Sequence, residues 1–298
     1  MMPEEYTDMT FDEYQAEADL NFSKAKKALT CPISFLSPDT GTTDAMRQGT
    51  ICHTALLEPG LMRRNFVRGP EGVRRGTKAW KEAEDKAGRK TLVKPAEHDR
   101  ALDMAKSVKS NTDAVFMLES DFSAPWTPEE EMYCISDKKT TDSLKEVSYA
   151  WKDQKSGLML KARIDCLSHR WDSYWVVDYK TTDDASPFAM GRKLVTQPYY
   201  YLMQMAWYCR AVKTFYESEF PRREAHVNAC IIAAEKSPGY PTAVYHIDHD
   251  DLEEADKKID DLLALIVKIK EGEVEQKHYP TLDLAAPEWW RQKEEATV

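Results

Sequence analysis

The chain has 298 residues, 42% hydrophobic and 31% charged, with 11 Gly and 15 Pro. That balance supports a sizeable core and excludes collagen-like, low-complexity and wholly disordered chains. The net charge of −10, taken as an average, disfavours a nucleic-acid partner. At roughly 150 residues per domain, the length fits one large domain or two modest ones. No apolar run approaches the roughly 20 residues that cross a bilayer. The first twenty residues hold seven acids and no Lys or Arg, the reverse of a signal peptide's start. A soluble, intracellular protein with no membrane partner is therefore expected. Six scattered cysteines (Cys31, Cys52, Cys134, Cys166, Cys209, Cys230) form no CxxC pair, so they read as reduced structural thiols.

In chain order, residues 1–20 are acidic and read as loosely held. Ser23 can cap a short helix through Leu29, stopped by Pro32. Residues 37–43 read as a loop, and a helix is expected from Asp44 to Leu57, ended by Pro59-Gly60. Residues 60–95 then carry eleven Lys/Arg against four acids. Such a basic island attracts phosphates locally while the rest of the surface repels them. Ordinary helix-surface pairing, as between Lys78 and Glu82, accounts for the same residues. A helix is expected near 77–87 and another over 96–118, with Ala101, Met104, Ala105 and Val108 on one face. Pro125 and Pro128 mark a loop.

Residues 145–151, 158–168 and 174–181 read as successive strands. In the middle one, Leu158, Leu160, Ala162, Ile164 and Cys166 share a face, and Lys161, Arg163 and Asp165 share the other. The last is apolar on both sides at Val176, Val177 and Tyr179, as in a central strand. A helix over 194–216, strands at 227–235 and 245–247, and a long amphipathic helix from Asp248 or Asp250 to Lys270 follow. The order predicts an α/β fold: a mixed central β-sheet flanked by helices, with an N-terminal helical and basic extension.

The second and third strands form a hairpin that brings Asp165 beside Asp178-Tyr179-Lys180. Two close carboxylates in apolar surroundings are costly unless paired. A divalent cation resolves this, since Mg²⁺ takes carboxylate, water and phosphate oxygens. Lys180 shares the face of Asp178 and can hold a water or stabilise charge on phosphorus. A structural salt-bridged trio with Arg163 is the competing reading. Gln204 and Tyr208 stand one turn apart on a helix, with Tyr201 a turn before; core packing explains most of that helix's aromatics. His53 lies among small and apolar helical neighbours, where a satisfied core histidine is commoner than a ligand. Imidazole suits Mn²⁺ better than Mg²⁺.

Gly49-Thr50-x-x-His53-x-x-Leu56-Leu57-Glu58-Pro59, Arg163-Ile164-Asp165, Val177-Asp178-Tyr179-Lys180-Thr181-Thr182 and Gln204-x-x-x-Tyr208 occur in that order. This set resembles the PD-(D/E)xK nuclease superfamily, and more closely the RecE (exonuclease VIII) nuclease domains of phages and prophages, from about Phe22 to Glu288-Trp289-Trp290. The resemblance implies one nuclease domain over 1–298: an arm and short helix (1–43), a first-motif helix (44–59), a basic helical insertion (60–130), a catalytic α/β core (131–247), and a C-terminal helix and tail (248–298). It implies a Mg²⁺-dependent, ATP-independent 5′→3′ exonuclease on linear double-stranded DNA, with Mn²⁺ able to substitute, exposing single strands for annealing. It also implies a homo-oligomeric ring of three or four subunits, a RecT-type annealing partner and a bacterial cytoplasmic location. On this reading Asp165, Asp178, His53, Glu146 and the carbonyl of Tyr179 hold metal. Lys180, Gln204 and Tyr208 complete the catalytic set with the two aspartates, and Arg63, Arg64, Arg74, Arg75 and Lys78 contact DNA. Glu58 is about 140° round the helix from His53 and points elsewhere. A structure-specific or restriction-type endonuclease, or a non-catalytic DNA-binding protein that kept the fold, are the alternatives.

Overall fold

The computed structural model describes residues 3–7, 9–17, 19–38, 41, 43–119, 143–170, 173–221 and 224–274. The loop expected around Pro125 and Pro128, Cys134, and the tail with Trp289 and Trp290 lie outside these residues. The N-terminal segment forms β1 (Glu4–Tyr6) and α1 (Phe11–Ala16), then short helices α2 (Phe22–Ala25), α3 (Lys27–Thr30) and α4 (Pro32–Leu36). Next come α5 (Asp44–Leu57), α6 (Pro59–Asn65), β2 (Phe66–Arg68), α7 (Lys78–Ala87), β3 (Thr91–Val93), α8 (Pro95–Ser110) and α9 (Thr112–Leu118). The second half contains β4 (Leu144–Lys152), β5 (Met159–Arg170), β6 (Ser173–Thr182), α10 (Pro187–Val195), α11 (Tyr201–Glu219), β7 (His226–Glu235), β8 (Thr242–His246) and α12 (His249–Lys270).

Six strands form one mixed sheet in the order β1-β4-β5-β6-β7-β8. Only β6 and β7 run parallel; the other neighbours are antiparallel. Helices cover both faces, the α/β arrangement expected from the order of elements. On one face α11 packs over Val147, Ile164, Val176 and Ile231, and α12 packs against α11 in the same core. On the other, α5, α8 and α9 pack over Cys166, Val177, Tyr179 and Ile232. Coverage on both sides is why β6 reads as apolar at successive positions. A separate parallel pair, β2–β3, is joined through α7 as a small βαβ unit that carries Arg74, Arg75 and Lys78, while Arg63 and Arg64 lie on α6.

Several elements differ from their sequence expectations for local reasons. The described residues among the first twenty are held in place: β1 pairs with β4, Thr10 and Glu13 form a capping box on α1, and Lys161 donates to the carbonyls of Tyr14 and Glu17. Asn21, not Ser23, caps α2 by accepting from the Lys24 amide. The helix expected over 96–118 stops and restarts at Asn111, whose side chain accepts from the Ala114 amide. The helix expected over 194–216 begins instead at Tyr201, since Pro198 lies in the preceding loop and cannot donate to a helical turn.

The strict alternation expected along β5 also fails at one point. Leu160, Ala162 and Ile164 face α11, but Cys166 joins the opposite core and Leu167 returns to the first. The register is nonetheless continuous, with Lys145↔Cys166 and Val147↔Ile164 paired on either side. The break falls at Asp165 and, across from it, at Glu146, whose φ is +52°.

Trp207 is fully buried between Phe22 and Trp151, and its indole donates to the Lys161 carbonyl at 3.0 Å. Trp207→Ala is expected to lower stability by about 3–5 kcal/mol, measured by urea unfolding. A loss below about 1 kcal/mol contradicts this packing.

Candidate active site

The break in β4 and β5 is where the acids gather. The β5–β6 ladder ends at the pair Cys166↔Val177, one residue short of Asp165 and Asp178. The amide of Tyr179 there donates not to a strand carbonyl but to Asp165 Oδ2, at 2.7 Å. A carboxylate has thus taken a carbonyl's place in the ladder. The left-handed backbone at Glu146, costly for a residue with a Cβ, interrupts the alternation of β4 at the same level.

Each helical layer contributes to this point. From α5, capped by Thr43, His53 packs its ring 5.1 Å from that of Tyr179. Its Nδ1 lies 3.3 Å from Asp165 Oδ2. His53, Glu146 and Asp165 each offer a ligand atom, all within 4.8 Å of one another. Asp178 and Lys180 meet the other layer. Asp178 Oδ2 is 2.7 Å from Lys180 Nζ, and Lys180 donates to Gln204 Oε1 at 3.0 Å. Gln204 Nε2 donates to the Tyr208 hydroxyl at 2.7 Å, and the Tyr201 ring lies 4.9 Å below the ammonium. Tyr201, Gln204 and Tyr208 therefore form one stripe on α11 aimed at the lysine.

The charges are strained against one another. Glu146 and Asp165 offer oxygens within 4.8 Å of each other, a separation at which two charged carboxylates repel by about 3 kcal/mol or more at an effective dielectric of about 20. Burial, reinforced by the charge of Asp165, pushes Glu146 up to about 7 despite His53 and Arg163. Burial raises Asp178 to about 6, with Asp165 adding to the rise and Lys180 opposing it. Burial works against charging His53, but Asp165 and Glu146 outweigh it and raise the imidazole to about 9. Asp165 is held low despite burial by His53, Lys180 and the Tyr179 amide. Lys180 is likewise raised despite burial, by Asp178 and Asp165. Excess negative charge on oxygen ligands beside an imidazole suits a divalent cation.

Of the residues anticipated from sequence, His53, Glu146 and Asp165 converge as one group. Asp178, Lys180, Gln204 and Tyr208 form the adjoining chain. Tyr179 enters through its amide and ring. Glu58 caps the end of α5, half-buried and outside the group. The basic residues lie apart, on α6 and the βαβ unit. Arg63, Arg64 and Arg74 are exposed and pair with no acid among the described residues. Lys78 is exposed with Glu82 at 3.9 Å, whereas Arg75 bonds Glu97 at 2.6 Å and leans on Trp80. Lys26 was not anticipated. It donates to the carbonyls of Pro198 and Tyr199, and burial with the charge of Lys180 lowers it to about 8. Nothing in its sequence context signals this.

A mixed sheet between helical layers, with acids and a lysine on adjacent central strands, is the arrangement of a PDDEXK-like domain. Residues 21–280 match the family described as a PDDEXK-like domain of unknown function (DUF3799), and the chain belongs to that family. No match is found among curated protein sequences. A crystal structure from Eubacterium rectale, described as a "putative exonuclease", shares the fold, with a TM-score of 0.56 and 13% identity over 97% of this chain and 99% of that one. A second crystal structure, SSO0001, overlaps more loosely, with a TM-score of 0.27 and 14% identity over 77% of this chain and 89% of that one. Among the described residues no helix is long and apolar enough to cross a membrane.

Asp178, Glu146 and His53 all bind a proton more readily folded than unfolded. Their stabilising contribution is full at acid pH and is lost as pH rises through about 6, 7 and 9 respectively. Asp165 has the opposite sign, its share being lost as pH falls. In calorimetry with chelator, Asp178→Asn is expected to remove the part of the Tm decline that lies between about pH 4 and 6. Parallel curves for variant and wild type contradict this assignment.

Proposed function

We propose that the protein is a Mg²⁺-dependent, ATP-independent exonuclease that degrades linear double-stranded DNA. The observation that carries this is the convergence of His53, Glu146 and Asp165 beside the chain Asp178–Lys180–Gln204–Tyr208. The resemblance to RecE-type nuclease domains supports 5′→3′ polarity and a role in exposing single strands for annealing. The exonuclease description of the Eubacterium rectale protein agrees with that reading.

Asp165, Asp178, Glu146, His53 and the carbonyl of Tyr179 would hold the cation, with Mn²⁺ able to replace Mg²⁺. When bound, it supplies Lewis-acid stabilisation of charge on the phosphate and a more acidic water. The protein's own groups do the rest. Lys180 keeps its proton between Asp178, Gln204 and the Tyr201 ring, so it presents a fixed positive charge to a phosphate oxygen. Gln204, oriented by Tyr208, holds that amine in line. Water adds to phosphorus as one bridging P–O bond breaks, leaving a phosphate monoester and a hydroxyl. Arg63, Arg64, Arg74, Arg75 and Lys78 would contact the DNA backbone, which reconciles a local basic surface with a net charge of −10. Enclosure of the duplex by a ring of three or four subunits would give processivity, and a RecT-type protein would take the exposed strand.

With Mg²⁺ and no ATP, end-labelled linear duplex is expected to be shortened and covalently closed circles spared. Cutting of closed circles would instead indicate an endonuclease. Lys180→Met is expected to reduce turnover by about 10²–10³-fold with little change in DNA affinity, measured by single-turnover kinetics and filter binding. Retained turnover contradicts the role given to Lys180. Reversing charge at Arg63 and Arg64 is expected to weaken duplex binding and reduce its salt slope by about 0.9 per lost phosphate contact. An unchanged slope makes that surface an ordinary solvated one.

A further inference from the structure

We propose that Arg163 is a positioning residue that sets the carboxylate of Glu146 for metal and ties the metal centre to the N-terminal segment. The inference rests on reading His53, Glu146 and Asp165 as that centre.

Arg163 stands two residues before Asp165 on β5 and directly across from Ser148. Its side chain is 11% exposed. Its Nε donates to Glu146 Oε2 at 2.9 Å, and its Nη1 donates to the Met9 carbonyl at 2.7 Å and to Ser148 Oγ at 3.1 Å. The guanidinium is thus fixed at three points, two of them, Glu146 and Ser148, on β4. Its charge also acts on Glu58 and on the hydroxyl of Tyr14. Among the described residues no group bonds the other Glu146 oxygen, Oε1, which leaves it for a ligand.

Glu146 needs such a hold. Its left-handed backbone, at φ +52°, is costly for a residue with a Cβ, and a strained conformation persists only where its surroundings over-determine it. The carboxylate is also desolvated and beside Asp165. A planar fork satisfies one oxygen and spans to Met9 at once. An ammonium cannot reproduce that geometry. Groups that hold a metal ligand in this way are worth about 10–100-fold in metal affinity.

The bond to Met9 gives the arrangement its reach. Lys161, two residues earlier and 4% exposed, donates to the carbonyls of Tyr14 and Glu17. Two cations of β5 therefore clamp the main chain of the N-terminal segment, and one of them also holds Glu146. Metal occupancy and closure of this segment share Arg163, so each favours the other by linkage.

The test uses the full chain and Mn²⁺ alone, titrated calorimetrically into wild type, Arg163→Gln, Arg163→Lys, Glu146→Gln and the Arg163→Gln/Glu146→Gln double variant. Expected are about 10–100-fold weaker binding for both Arg163 variants and no further loss from Arg163→Gln once Glu146 is already changed. Hydrogen exchange on wild type is expected to show greater protection of residues 3–17 with Mn²⁺. Affinity of Arg163→Gln within about twofold of wild type, or additive losses in the double variant, overturns the proposal. Should the Arg163 variants fail to fold, exchange decides alone: unchanged protection overturns it. Absence of Mn²⁺ binding by wild type overturns the metal-centre reading itself, and this proposal with it.

Discussion

The structure turns on a single electrostatic constraint: acidic side chains are buried side by side in the middle of a sheet. Asp165 and Asp178 flank the end of the β5–β6 ladder on adjoining strands, and ligand atoms of Glu146 on the third strand and of Asp165 lie within 4.8 Å of each other. Neither solvent nor a full set of cations offsets them. Protein groups neutralise part of the charge, through His53, Lys180, Arg163 and one backbone amide. The remainder appears as raised affinity for protons at Glu146 and Asp178. A site that prefers protons in a metal-free state is one that a divalent cation stabilises.

The fold meets this constraint by working from both sides. A strand alternates its side chains, so no single helix layer can reach both a residue and the one next to it. Here α5 brings an imidazole to Asp165 from one face, and α11 brings an amide and a phenol to Lys180 from the other. The sheet yields locally to allow it. Asp165 captures the Tyr179 amide, and the backbone at Glu146 turns left-handed. Departure from regular pairing and the gathering of functional groups are thus the same event.

Much of this was legible in the amino-acid sequence. The strands β4, β5 and β6 read from sequence within a residue or two, β5 through its period-two alternation and β6 as central through apolar residues on both sides. Asp178 and Lys180, two apart on a strand, had to share a face, and Gln204 and Tyr208, four apart on a helix, had to stack. What escaped depended on contacts distant along the chain. Cys166 was placed on the wrong face because alternation assumes an unbroken strand, and nothing local announces a left-handed Glu. The N-terminal segment was read as loose from its acidity. Its anchors, Lys161 and Arg163, lie some 150 residues further on. Lys26 reaches the loop before α11 across a similar interval.

The central claim is that these side chains form a metal site. Anomalous diffraction from a crystal soaked in Mn²⁺ tests it directly. A peak is expected within coordination distance of Asp165 and Glu146, bordered by His53 and Asp178. A soaked crystal with manganese bound elsewhere and no peak at this position would contradict it.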